Sequence, residues 1–407
     1  MKNELLDKYA DLVVKVGINI QPGDKLMISF NENGLQLARA IVKSAYQNGC
    51  AKVEMMFSDD EIKKLSFMYE TKENLLDIPQ WYQDRANSVA DKKMCYVAIL
   101  SDNPELLEDI DSDLIGAVSK RRNELLKRYY DAATSNKIRW SLCAVPNETW
   151  AKKMFPTLPT EDAINKLWDM IFSTMRLDKS DSVKAWEQHI QNLQQRSDFL
   201  TNMQFDHIKI TNKLGTNLTV GLPKNYYFSV GNELSQDGIR FTANMPTEEV
   251  FSLPNKYDVN GIVYSSMPLI HNGKMVDEFY LKLKDGKIVD YDAKKGLDTL
   301  KAIIEADEGS KYLGEIALVQ YDSPIRNLNT LFYETLFDEN ASCHLAIGEA
   351  YPMVKGAENL STEEQDKLGI NYSSKHVDFM FGTSDLKVVG IKNGIETVIM
   401  NKGNFVI

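Results

Sequence analysis

The sequence predicts an N-terminal α/β domain on a parallel sheet, followed by a larger, mainly antiparallel β-rich domain of α+β character. Three observations carry this. Apolar strand-like runs alternate with helical stretches through the first half of the chain. All five tryptophans (Trp81, Trp140, Trp150, Trp168 and Trp186) lie in that half. Beyond it the texture turns to short strand-like runs parted by Gly, Asn and Asp turns such as Asp285-Gly286 and Asn393-Gly394. The boundary is placed in the helical stretch 182–200, giving domains of 1–190 and 191–407.

The elements follow in order. Leu5, Tyr9, Leu12, Val13 and Val16 recur at helical spacing over residues 1–16. Gln21-Pro22-Gly23-Asp24 turns the chain into the apolar run Lys25–Phe30, which reads as a buried strand. A helix over 34–48 stops at Asn48-Gly49, and Lys52–Phe57 is the next strand. The rhythm repeats with a strand at Cys95–Leu100, a helix near 116–133 and a strand at Ile138–Cys143. In the second half, His207–Thr211 and Leu218–Val220 are typical of the short strands expected.

Composition sets outer limits. The chain has 407 residues, 43% hydrophobic and 26% charged, enough to bury a large core without staples. A net charge of −11 argues against a general binder of nucleic acid or of anionic membranes. No run approaches the ~20 apolar residues of a membrane span, and the start Met1–Asp7 carries acids where a signal peptide needs an apolar stretch. Cys50, Cys95, Cys143 and Cys343 are far apart, with no CxxC spacing. The expectation is a soluble, cytoplasmic protein. No GxGxxG follows the first strand, and GxxxxGK[ST], GxSxG and HExxH are all absent. The N-terminal sheet therefore reads as scaffold.

The residues that suggest chemistry lie in the second half. His376 and Asp378 stand two apart in a strand-like run, so both side chains leave the same face, roughly 6.5–7 Å apart along the chain. Such a pair can converge on a cation, or it can be a surface ion pair. His344 sits in the apolar run Ser342–Gly348, with Tyr351-Pro352 just beyond. Glu315 opens an otherwise apolar strand at Gly314–Val319, and Glu248-Glu249 stand in the Pro-led stretch Asn244–Phe251. Each has a bland reading alone: a core histidine, a strand-edge acid, a solvated acidic pair. Together they form the N/O ligand inventory of a two-metal hydrolase.

Four of these strings, in order, resemble the metal-ligand motifs of the M29 metallo-aminopeptidases. They are Asn244–Phe251, Gly314–Leu318, Leu336–Gly348 with Ala350-Tyr351-Pro352, and Asn371–Gly382; Val16–Asp24 is similar to the family's opening. The intervals also agree, with 66 residues from Glu249 to Glu315, 29 to His344, seven to Tyr351 and 25 to His376. The resemblance implies that Glu249, Glu315, His344, His376 and Asp378 are metal ligands. It makes Tyr351 a further ligand or a catalytic group, and residues 191–407 the catalytic domain. It implies two divalent ions, Zn, Co or Mn with Mg possible, activating a bridging water to release N-terminal residues from short peptides. Glu315 is the candidate to bridge the ions or take the water's proton, and Glu248 a weaker candidate for base or amino-group contact. A homodimer is implied as well. The runner-up is a two-metal hydrolase of a non-peptide amide or ester metabolite; a phosphoester enzyme would want a basic cluster, and Arg326 is the only arginine after residue 240.

Overall fold

The structure is a computed structural model; it describes all residues except 1, 102, 104–105, 272–273 and 358–359, with backbone alone at Lys2 and Ser112. The chain divides into two compact units, Met1–His189 with Gly231–Pro246, and Ile190–Val230 with Thr247–Ile407. The first division falls within the helix Ser182–Met203.

In the first unit β1 (Lys25–Phe30), β2 (Lys52–Phe57), β3 (Cys95–Leu100) and β4 (Trp140–Ala144) form a parallel sheet in the order β2-β1-β3-β4. The expected helices are present at Lys2–Leu12 and Leu35–Gln47, while the one expected near 116–133 is split in two, Ser112–Leu125 and Lys127–Thr134. The parallel sheet has a natural open edge at β4, and the returning segment 231–246 covers it. Leu142 N donates to Ala243 O at 2.7 Å and Met245 N to Leu142 O at 3.0 Å. These bonds satisfy backbone groups that an edge strand would expose. Buried Arg139 fixes the turn before β1, donating to the carbonyls of Ile18 and Asn19 and to Asp24 Oδ2 at 2.7 Å.

The second unit holds a nine-stranded and a five-stranded sheet, both antiparallel throughout. The five-stranded sheet runs His376–Met380, His344–Gly348, Leu313–Val319, Glu249–Ser252 and Ser229–Val230. Because side chains alternate, one face carries Val250, Ile316, Leu318, Leu345, Ile347, Val377 and Phe379 into the unit's hydrophobic core. Phe379 meets Phe279 of the nine-stranded sheet there, ring centroids 5.5 Å apart. The opposite face is left for polar groups. Among the described residues no helix is long and apolar enough to cross a membrane.

Candidate metal centre

The strand register decides which residues meet. Glu315 is paired with Ala346, and Ala346 with Asp378, so all three share one rung. Ala317 pairs with His344, Glu249 with Val319, and Gly348 with His376. Directly paired residues project to the same face, so Glu249, Glu315, His344, His376 and Asp378 all stand on the face away from the core. Ala317, Ala346 and Gly348 share that face, and these small residues leave room between the larger ones. Gly348 has φ of +104°, and a Cβ there would lie 2.0 Å from Lys375 O, so no other residue fits.

The donor atoms converge. Single ligand atoms of Glu249, Glu315 and His344 all lie within 4.8 Å of one another. His344 Nε2 is 3.2 Å from Glu249 Oε2 and 3.4 Å from Glu315 Oε1. The other oxygen of Glu315, Oε2, lies 3.7 Å from His376 Nε2, which in turn is 3.4 Å from Asp378 Oδ1. Both imidazoles are oriented from behind: Nδ1 of His344 faces Ser342 O at 3.1 Å and Nδ1 of His376 faces Glu349 O at 2.8 Å. With Nδ1–H donating to a carbonyl, each ring turns Nε2 toward the carboxylates, as metal-binding histidines do.

Charge makes the cluster uneasy without a cation. Burial opposes a charge on His344, yet Glu249 and Glu315 raise it well above the ordinary imidazole range. Burial acts likewise on His376, and Asp378 and Glu315 overcome it, bringing the ring to about 9. Glu315 is raised by its burial and by the Asp378 and Glu249 carboxylates, against the pull of His344. Burial would raise Asp378 too, but His376 brings it below the usual range. Asp378 Oδ1 is buried, with His376 Nε2 at 3.4 Å. Three carboxylates and two Nε2 lone pairs on one walled face are the donor set a divalent ion takes, and such an ion would replace the protons now shared among them. The residues fit a metal.

Tyr351 is placed beside this group: its ring centroid is 6.0 Å from that of His376, and the residue is half-exposed. Glu248 precedes the Glu249 strand with its amide on Asn340 Oδ1 at 2.8 Å, and its charge acts on Arg196. Two neighbours lie outside the ligand set that the resemblance implies. Glu339 is pushed well above the usual carboxyl range by burial and then by the charges of Glu249 and Asp378, which puts it with the cluster. Fully buried Asn340 ties that turn down, donating to Leu336 O at 3.0 Å while receiving Glu248 N. The available signal was polar Asp338-Glu339-Asn340 inside a run otherwise apolar. A cavity of about 70 Å³ adjoins Asp378 and Glu339, with Leu269, Ile270 and Met380 among its apolar lining and Tyr333 and Glu334 among its polar lining.

The family model for thermophilic metalloproteases (M29) matches residues 2–405. The chain belongs to this metalloprotease family. Aminopeptidase 2 of Geobacillus stearothermophilus is 40% identical over 402 residues, covering 98% of this chain and 97% of that one. Aminopeptidase AmpS of Bacillus subtilis is 40% identical over 405 residues, covering 99% and 98%. The solved structure of wild-type AmpT from Thermus thermophilus superposes with a TM-score of 0.93 at 30% identity, over 100% of both chains. This M29 member is therefore a hydrolase of the metallo-aminopeptidase kind, and the family implies dependence on divalent metal.

Proposed function

We propose that the enzyme releases N-terminal residues from short peptides with two divalent ions held side by side on the polar face of the five-stranded sheet. The observation that carries this is Glu315. Its two oxygens address different imidazoles, Oε1 toward His344 and Oε2 toward His376. Glu249 and His344 would hold one ion, His376 and Asp378 the other, and Glu315 would span both. Glu339 is an added carboxylate for the same set. An N/O set of this kind suits Zn, Co or Mn better than Mg. When bound, the ions supply Lewis-acid polarisation of the scissile carbonyl, a water acidified toward ~7, and a coordination position for a free α-amino group.

The chain's own groups supply the rest. Glu249, Glu315 and His344 are nearly closed to solvent, which strengthens every charge interaction at the scissile bond. Glu315 and Glu339, which burial and the neighbouring carboxylates push upward, are the acids suited to moving a proton. Tyr351, beside His376, is the group to donate a hydrogen bond from its hydroxyl to the oxygen that gains charge as water adds. Glu248 is better read as holding the start of the Glu249 strand, since its amide and its charge are engaged by Asn340 and Arg196. The reading further takes the enzyme to be a cytoplasmic homodimer, on the strength of the family resemblance and the free cysteines.

The test is hydrolysis of aminoacyl-chromogenic substrates with free or acetylated N-termini, before and after chelation, alongside metal analysis. Expected are activity on free amines only, loss on chelation, recovery with Zn, Co or Mn, and two ions per chain. Turnover of acetylated substrates, or full activity with one ion, overturns the proposal.

A further inference from the structure

The His376 side of the site is held by a polar clamp outside the sheet. Its centre is Asp307, in the loop after the helix Leu297–Ile304. Asp307 Oδ1 accepts from Ser310 N at 2.8 Å, from Ser310 Oγ at 3.0 Å and from Ser373 Oγ at 2.9 Å. Its Oδ2 accepts from Ser374 N at 2.7 Å and from Ser374 Oγ at 2.6 Å. Burial would raise this carboxyl, but the donors from Ser374, Ser310 and Ser373 hold it well below the usual range. Ser373 Oγ in turn receives Lys375 N at 3.1 Å, and Ser373 N donates to Glu349 Oε2. Glu349 closes the ring: its amide donates to Lys375 O at 2.6 Å, and its carbonyl is the acceptor that orients His376 Nδ1. Asn371 ties the same three segments, donating to Gly309 O at 2.8 Å and to Gly348 O at 2.6 Å. The segments press closely enough that a Cβ on Gly309 would lie 1.9 Å from Tyr372 O.

We propose that Asp307 is a positioning residue for the His376 half of the metal site. It fixes the Ser373-Ser374 turn, so that the chain enters the His376–Met380 strand with Nδ1 on the Glu349 carbonyl and Nε2 toward Glu315. Accepting from five donors, the Asp307 carboxylate removes the freedom that would let His376 swing away from its partner. Outer groups of this kind typically change metal affinity by about 10–100-fold when removed. Among the described residues no hydrogen bond of the clamp reaches the Glu249 or His344 side chain, so the effect falls on one ion.

The inference rests on the two-ion reading, and the experiment separates the two. Metal-free full-length enzyme is titrated calorimetrically with Zn²⁺, and with Co²⁺ while its visible absorption is followed. Wild type is expected to show two steps; a single step refutes the two-ion reading whatever Asp307 does. His376→Ala then identifies the step belonging to that half. Asp307→Ala is expected to weaken that same step about 10–100-fold, to alter the Co²⁺ spectrum at that equivalent only, and to spare the other step. Equal weakening of both steps, or of neither, makes Asp307 merely structural and overturns the proposal. Should Asp307→Ala not fold, Ser374→Ala removes one donor from an exposed position, and an unchanged affinity at that step is equally fatal.

Discussion

His344 and His376 face the same glutamate from opposite surroundings. The His344 side chain is 1% exposed, in a strand whose five residues are all buried, whereas that of His376 is 30% exposed. The inner half of the site is built by core packing: Glu249, Glu315 and His344 leave strands whose other faces are anchored in the hydrophobic cluster. The outer half starts from the same core, through Val377 and Phe379, but the turn that leads into its strand is held by hydrogen bonds among loops, through Asp307, Glu349 and Ser373. Packing places a side chain because moving it opens a cavity, while loop bonds exchange with water at little net loss. The inner half should therefore persist without metal, and the outer half should depend on ligand and conditions.

The strongest challenge to this division is Glu315, which belongs to both halves. Glu315→Gln should lower kcat/KM by at least ~10²-fold, beyond the range that outer residues reach, and weaken both metal-binding steps. Loss at one step only would show that it serves a single ion. The histidines come next. In metal-free protein at a pH above 9, where His376 no longer carries its stabilising proton, His344→Ala should lower unfolding free energy by about 2–3 kcal/mol in denaturant titrations, and His376→Ala by no more than ~0.5 kcal/mol. Equal costs would abolish the contrast. Ala346→Val probes the space between Glu315 and Asp378 on their shared rung. Overpacking there should cost about 1–3 kcal/mol and reduce metal content in proportion; full loading would mean that the gap is not needed. The gentlest test is pH. His376 is raised to about 9 in the absence of metal, so its protonated form contributes stability fully present below the unfolded value of ~6.5 and lost as pH climbs through the folded one. Melting of the metal-free enzyme should fall over that interval, while metal affinity rises as protons leave. A flat profile, or the same fall in His376→Ala, would remove His376 as the cause.

Much of this could be read from the sequence. Strands β1 to β3 and His207–Thr211 lie where their apolar runs put them, because periodicity and turn residues report local burial directly. So does the i, i+2 logic that set His376 and Asp378 on one face. The break at Leu126 gave no signal, and neither did the return of residues 231–246 to cover β4, since a backbone-to-backbone cover needs no particular side chains. The same limit hid the clamp. Asp307, Ser310, Ser373 and Ser374 look like ordinary loop residues, and only the fold brings an aspartate against serines 66 and 67 positions away. Glu339 was within reach, as an acid in a run otherwise apolar.

The alternation that puts every donor on one sheet face has a consequence for folding. In each of the four strands that carry the cluster only one parity of register presents its polar side chain; slipping by a single residue would turn His344 or Asp378 into the layer occupied by Phe379 and Leu345. The complete donor set assembles only with the correct parity in all four strands, and no slipped arrangement offers it to a cation. Metal supply during synthesis would thus reinforce the alignment that the buried apolar face already favours, and chains made in its absence should be more readily cleaved by proteases near the outer strand, His376–Met380.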